Sequence, residues 1–207
     1  MGDTAPDFPP GAFDRLDEAG DAEFYLPARL VTHIDDRAVL ALGAFYALEL
    51  KPGSGVLDLM SSWVSHLPDD LSLAEVIGHG MNADELARNP RLTRWFVQDL
   101  NCDPVLMLPD SGLDAALCCV SVQYLQKPVE VFAEVRRVLR PGAPFIVSFS
   151  NRCFWTKAVA IWRSLGFQDQ ARLVHLYFQR AGFSSVTVRV LRDGLHGDPL
   201  VAVVGKA

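Results

Sequence analysis

The chain has 207 residues, half of them apolar and 21% charged, with a formal net charge of −6. That suits one domain with a full apolar core, and the acidic balance argues against non-specific nucleic-acid binding, which depends on clustered lysine and arginine. No apolar run approaches the roughly 20 residues of a membrane-spanning helix, so no membrane partner is expected. Residues 1–20, rich in Pro, Gly and Asp, read as a mobile tail. Asp35 or Asp36 caps a helix that runs to about Leu50, with Val39, Leu42, Phe45 and Tyr46 at helical spacing. This N-terminal segment, 21–50, is expected to form a helical lid on a single domain spanning 21–207.

After KPGSG the chain alternates. Gly55–Met60 reads as a buried strand, followed by a short helix from Ser62 that must stop by Pro68. Leu73–Gly78 is a second strand. Asn82 opens N-x-x-E with Glu85, a capping pattern for a helix that ends before Pro90. Arg94–Gln98 and Leu113–Val120 are further strands. Val129–Leu139 is a helix with Pro128 near its start and Arg136, Arg137 and Arg140 at its C-terminal dipole. Phe145–Phe149 is a fifth strand. Trp155–Leu165 and Gln168–Ala181 read as helices, and Val186–Leu191 pairs with Leu200–Val204 across DGLHGDP. Strands alternating with helices imply right-handed crossovers and a mainly parallel sheet. The expected fold is α/β, a doubly wound, Rossmann-like sheet with helices on both faces and a C-terminal antiparallel hairpin. Ligands in such folds sit at the carboxyl ends of the strands, where the winding reverses.

The segment DAALCCVSVQYLQKPVEVFAEVRRVLRPGAPFIVSFSN resembles the fourth-strand-to-fifth-strand region of class I S-adenosylmethionine-dependent methyltransferases of the type 11 kind. In that family the helix typically ends R-V-L-[KR]-P-G-G, and the sheet has seven strands closed by a hairpin. The resemblance covers about Asp35 to Lys206. A subgroup of methyltransferase-like proteins is closer still: its first turn resembles LDLxSSWVSHLP and its second VxGxGMN. The resemblance implies S-adenosylmethionine as cofactor, S-adenosylhomocysteine as product, and a small-molecule acceptor.

The cofactor residues follow motif by motif. The usual first turn resembles LDLGCGTG, whereas here it is LDLMSSWV. Asp58, Met60, Ser61 and Ser62 therefore stand where the family holds the methionyl end, and a helix N-terminus there would offer N–H groups to the carboxylate. Trp63 must point away for the site to stay open. The ribose acid expected about 20 residues on is Gly80 in this register, and the nearest carboxylates are Asp84 and Glu85. Asn82 or the Gly80 backbone is left to hold the ribose, with Met81 where the family stacks an apolar side chain on adenine. Asp99 and Leu100 match the family's adenine contacts, and Val120 closes the site at the fourth strand.

Direct methyl transfer needs no protein nucleophile. A general base is needed only where the acceptor loses a proton early. Tyr25, His33, Asp35, His66 and Tyr124 are the candidates, of which His33 and Tyr124 are favoured. Phe154, Trp155, Trp162 and Tyr177 are read as acceptor-pocket lining or as helix core. The four cysteines, Cys102, Cys118, Cys119 and Cys153, have no metal-ligand spacing, and no metal is expected. Together with an N-terminus that lacks a basic or apolar leader region, they point to the cytoplasm. Methyl transfer is the leading reading; a methyltransferase-like binding or regulatory protein without catalysis is the alternative.

Overall fold

The computed structural model describes residues 8–207. Its strands are β1 (Gly55–Leu59), β2 (Glu75–Gly80), β3 (Arg94–Val97), β4 (Ala115–Cys119), β5 (Pro144–Phe149), β6 (Ser184–Arg192) and β7 (Leu200–Lys206). They form one sheet in the order β3-β2-β1-β4-β5-β7-β6. The first five are parallel. The last two form the expected hairpin, with β7 antiparallel to both β5 and β6. The winding reverses between β1 and β4, which opens a crevice at their carboxyl ends.

The helices are α1 (Asp21–Phe24), α2 (Asp36–Glu49), α3 (Ala83–Arg88), α4 (Pro128–Val138), α5 (Ala160–Ser164) and α6 (Phe167–Arg180). Side chains of a strand alternate between faces, and the core accordingly divides in two. Leu57, Phe145, Val147 and Val203 pack with Phe132 of α4 and Phe178 of α6. Val56, Ile146 and Ala202 pack on the other face with Leu42, Phe45 and Tyr46 of α2. So α2 is a core helix, and the cover over the crevice is α1 with the loop that follows it. Both expected caps form: Asp35 accepts the Ala38 N–H at 2.8 Å, and Asn82 Oδ1 accepts the Glu85 N–H at 3.0 Å.

Three expectations are corrected. The segment from Ser62 to Pro68 is not a helix but an irregular loop. Its serines are diverted: the Ser61 and Ser65 hydroxyls donate to the Asp58 carboxylate at 2.6 and 2.5 Å, and Asn89 Nδ2 donates to Ser62 O and Ser65 Oγ, both at 2.9 Å. The helix expected from Trp155 starts only at Ala160. Residues before it answer to distant partners: the Phe154 N–H donates to Tyr124 Oη at 2.8 Å and the Val159 N–H to Gln123 O at 3.0 Å. Lys157 is fully buried, with Nζ on Ala19 O at 2.6 Å and beside the carboxylates of Asp17 and Asp21. Finally, of the tail expected to be mobile, residues 1–7 lie outside the described residues, but residues 8–20 are docked. The rings of Phe8 and Phe13 lie 5.8 and 6.3 Å from that of Tyr177, and Ala12 O and Asp14 O accept from Ile161 and Ala160.

Candidate functional site

A cavity of about 660 Å³ lies at the carboxyl ends of β1–β4, beneath the lid formed by α1 and residues 25–35. The twelve residues expected at the site all line it: Asp58, Met60, Ser61 and Ser62 from the β1 end; Gly80, Met81 and Asn82 from the β2 end; Asp99 and Leu100 after β3; Val120 and Tyr124 after β4; and His33 from the lid. Tyr25, Asp35, His66 and Phe154 line it too. Trp162 and Tyr177 belong to the core, and Trp155 is exposed. Trp63 turns away, donating Nε1–H to Val31 O at 2.9 Å.

The first turn keeps the backbone of a glycine turn without the glycine. Met60, at the position of the first glycine in LDLGCG, has φ 55°, and Val120, which follows the neighbouring strand β4, has φ 44°. Left-handed backbone is costly for a side chain with a Cβ, most of all a branched one, so the fold must hold it in place. His79 of β2 does much of this. Its buried ring accepts the Met60 N–H on Nδ1 at 3.1 Å and donates from Nε2 to Gln98 O at 3.0 Å, while its carbonyl accepts the Ser61 N–H at 2.6 Å. Those contacts define the tautomer, and burial pushes the imidazole down to about 4. Burial pushes the Asp58 carboxyl up to about 6, against the lowering effect of its two serine donors.

The second turn differs from what spacing implied. Gly80 is required by packing: a Cβ there would sit 2.5 Å from Ser61 O. Both amide hydrogens of Asn82 are engaged on the lid, on Tyr25 O and Leu26 O at 2.9 Å each. The carboxylate that reaches the cavity from α3 is Glu85, which accepts the Ser62 hydroxyl and the Arg29 N–H, both at 2.6 Å. Glu85 thus ties turn to lid, a role visible in sequence only as its capping position. After β3, Asp99 Oδ1 accepts the Asn101 N–H at 2.9 Å, and Asp99 Oδ2 faces Cys102 Sγ at 3.1 Å.

At the other end, Tyr124 is buried and its hydroxyl accepts the Phe154 N–H. Burial holds its phenol above the ordinary range, which favours the protonated form at neutral pH. Burial lowers His33, leaving a neutral imidazole able to accept a proton. His66, pushed down to about 4 by burial, leaves Nδ1 buried without a hydrogen-bond partner among the described residues. Both histidines have left-handed backbone, with φ 65° and 55°. Together with Met60 and Val120, they place four such residues on this one cavity wall, as happens where strain is held at functional sites.

Residues 59–147, from the end of β1 into β5, match the family described as a methyltransferase domain. That segment is similar to a methyltransferase domain. The match spans the first turn, β2, β3 and β4, and so includes most of the residues that line the cavity. Among solved structures, a chain of a Haloferax volcanii methyltransferase–activator complex is 16% identical, with TM-score 0.63 over 83% of this chain and 90% of its own. An S-adenosylmethionine-dependent methyltransferase from Mesorhizobium loti is 18% identical, with TM-score 0.57, covering 81% of this chain and 98% of its own. The [4+2]-cyclase SpnF is 14% identical, with TM-score 0.60 and 80% coverage of each chain. No curated protein matches the chain. Among the described residues, no helix is long and apolar enough to cross a membrane, and no group of side chains is placed to hold a metal ion.

Proposed function

We propose that the protein transfers the methyl group of S-adenosylmethionine directly to a small-molecule acceptor. The observation that carries this reading is the single cavity onto which the β1 turn, the β2 end and Asp99 all open. They lie in the order in which class I methyltransferases hold the methionyl, ribose and adenine parts. The volume lies within the usual range of small-molecule sites, about 300–1,000 Å³. The donor set fits. Ser61 and Ser62 face the methionyl end, Glu85 serves in place of the ribose acid, and Asp99 accepts from the adenine amino group between Met81 and Leu100. When bound, the cofactor supplies a methyl group on a sulfonium, ready for displacement. The chain's own task is to hold the acceptor in line and exclude water. Tyr124 positions Phe154 through its hydroxyl, and the neutral His33 takes the acceptor proton where one must leave.

A second reading, a binding protein without catalysis, is favoured by one observation: the Met60 and Ser61 N–H groups are engaged by His79 and are not available to an anion. The fold itself does not decide between these readings. Calorimetric titration with S-adenosylmethionine and S-adenosylhomocysteine tests both. Saturable binding of either is expected, and Asp99→Ala should weaken it by about 1–3 kcal/mol, the scale of a hydrogen bond to a charged group. Absence of binding at millimolar ligand, in folded protein, overturns the cofactor assignment. Binding with no S-adenosylhomocysteine formed from any acceptor pool favours the second reading.

A further inference from the structure

We infer that the acceptor is a small organic acid and that Arg29 holds its carboxylate; this rests on the methyl-transfer reading. Arg29 reaches the cavity from the lid. Its guanidinium donates to Phe24 O at 2.8 Å and to Pro27 O at 3.3 Å. Of the five N–H groups of a guanidinium, these use two and leave three. No carboxylate pairs with Arg29 among the described residues, whereas Arg152, the other arginine on the cavity wall, is paired with Asp198 at 2.9 Å.

The acids around the cavity make their bonds to groups other than the Arg29 guanidinium. Asp21 is paired with Arg15, Asp35 caps α2, and Asp58 takes two serine hydroxyls. Glu85 takes the Ser62 hydroxyl and only the backbone N–H of Arg29, and Asp99 holds its own turn. A partly desolvated guanidinium without a counter-ion is costly, and its planar fork matches a carboxylate.

The surroundings set the rest of the ligand. The Arg29 guanidinium carbon lies 4.5 Å from the Phe24 ring centroid and 5.3 Å from that of Phe154. The Phe154 ring also stacks on Tyr124 at 5.8 Å and meets the edge of His33 at 5.6 Å. An acid bound to Arg29 thus places an apolar body beside the Phe154 ring and the His33 imidazole. Arg29 is the one cation on this wall without a carboxylate partner among the described residues, which suits a single negative charge and opposes a phosphate dianion. The guanidinium contacts come from the lid and the loop after β5, none from the β1 turn, which assigns the carboxylate to the acceptor and not to the cofactor.

The test titrates benzoate, phenylacetate and cinnamate against their neutral amides, with protein both cofactor-free and loaded with S-adenosylhomocysteine. At least one acid should bind tenfold or more tighter than its amide. Arg29→Met should abolish that preference and Arg29→Lys retain only part of it, since lysine has no fork, and both should bind S-adenosylhomocysteine like the wild type. The inference is overturned by equal binding of acids and amides throughout, or by a preference that survives in Arg29→Met. It is also overturned if Arg29→Met weakens S-adenosylhomocysteine but not 5′-methylthioadenosine, which lacks the carboxylate, because Arg29 would then serve the cofactor. If Arg29→Met does not fold, an acid preference undiminished in Arg29→Lys overturns it equally. Wild-type protein that binds no S-adenosylhomocysteine but still prefers acids in Arg29-dependent fashion fails the methyl-transfer reading alone.

Discussion

His79 offers the sharpest test of how a turn without glycine keeps its shape. In His79→Phe the ring volume is nearly kept, but the Met60 N–H and Gln98 C=O lose their partners. Each buried polar group left unsatisfied costs about 1–3 kcal/mol, so the variant should be less stable by roughly 2–6 kcal/mol at pH 7.5. The folded imidazole sits at about 4 against an ordinary value of 6.5. As pH falls below 6.5 the unfolded chain gains a proton that the folded protein refuses, and stability is lost until pH reaches about 4. Between pH 7.5 and 5 this removes about 2 kcal/mol from the wild type and nothing from the variant. Asp58 works in the opposite direction. Its folded carboxyl sits at about 6 against 3.8, so over the same interval it adds about 1 kcal/mol to both proteins, as long as the two sites titrate independently. Urea denaturation at both pH values, followed by tryptophan fluorescence, should show the gap between wild type and variant narrowing by about 2 kcal/mol at pH 5. A gap independent of pH would mean that His79 is not held neutral by the turn.

Gly80→Ala should destabilise the protein by about 1–3 kcal/mol and weaken cofactor binding, because its Cβ meets the Ser61 carbonyl; a thermal melt unchanged from wild type refutes that close approach. Met60→Gly should be more stable than Met60→Ala by about 1 kcal/mol in denaturant titration, since both lose the side chain but only alanine keeps the left-handed strain. Equal stabilities would show that Met60 carries no backbone strain. For Asp99→Ala, unchanged S-adenosylhomocysteine affinity in a folded variant removes Asp99 from the adenine site.

Local pattern carried the architecture. The alternation of apolar strands with capped helices, the Asp35 and Asn82 caps, and the R-V-L-R-P-G end of α4 all depend on residues within a few positions of one another. They specify a parallel sheet closed by a hairpin, and the motif order places the site residues on one cavity. The tertiary structure decided what those residues do there. Ser61 and Ser65 have local capping chemistry, yet their hydroxyls turn to Asp58, and Asn89 comes in from the far end of α3 to claim Ser62 and Ser65. Asn82, expected at the ribose, spends its amide on the lid, and Gly80 is glycine because another backbone approaches it. The docking of residues 8–20 depends on Lys157, and the isolation of Arg29 depends on every nearby acid having found another partner. The Ser61 and Ser65 bonds to Asp58 stay within one loop, but the other bonds join positions from about 20 to about 140 apart in the chain. Periodicity and capping rules register neighbours three or four residues away, so only the packed sheet and its loops determine which polar groups are satisfied and which remain open to a ligand.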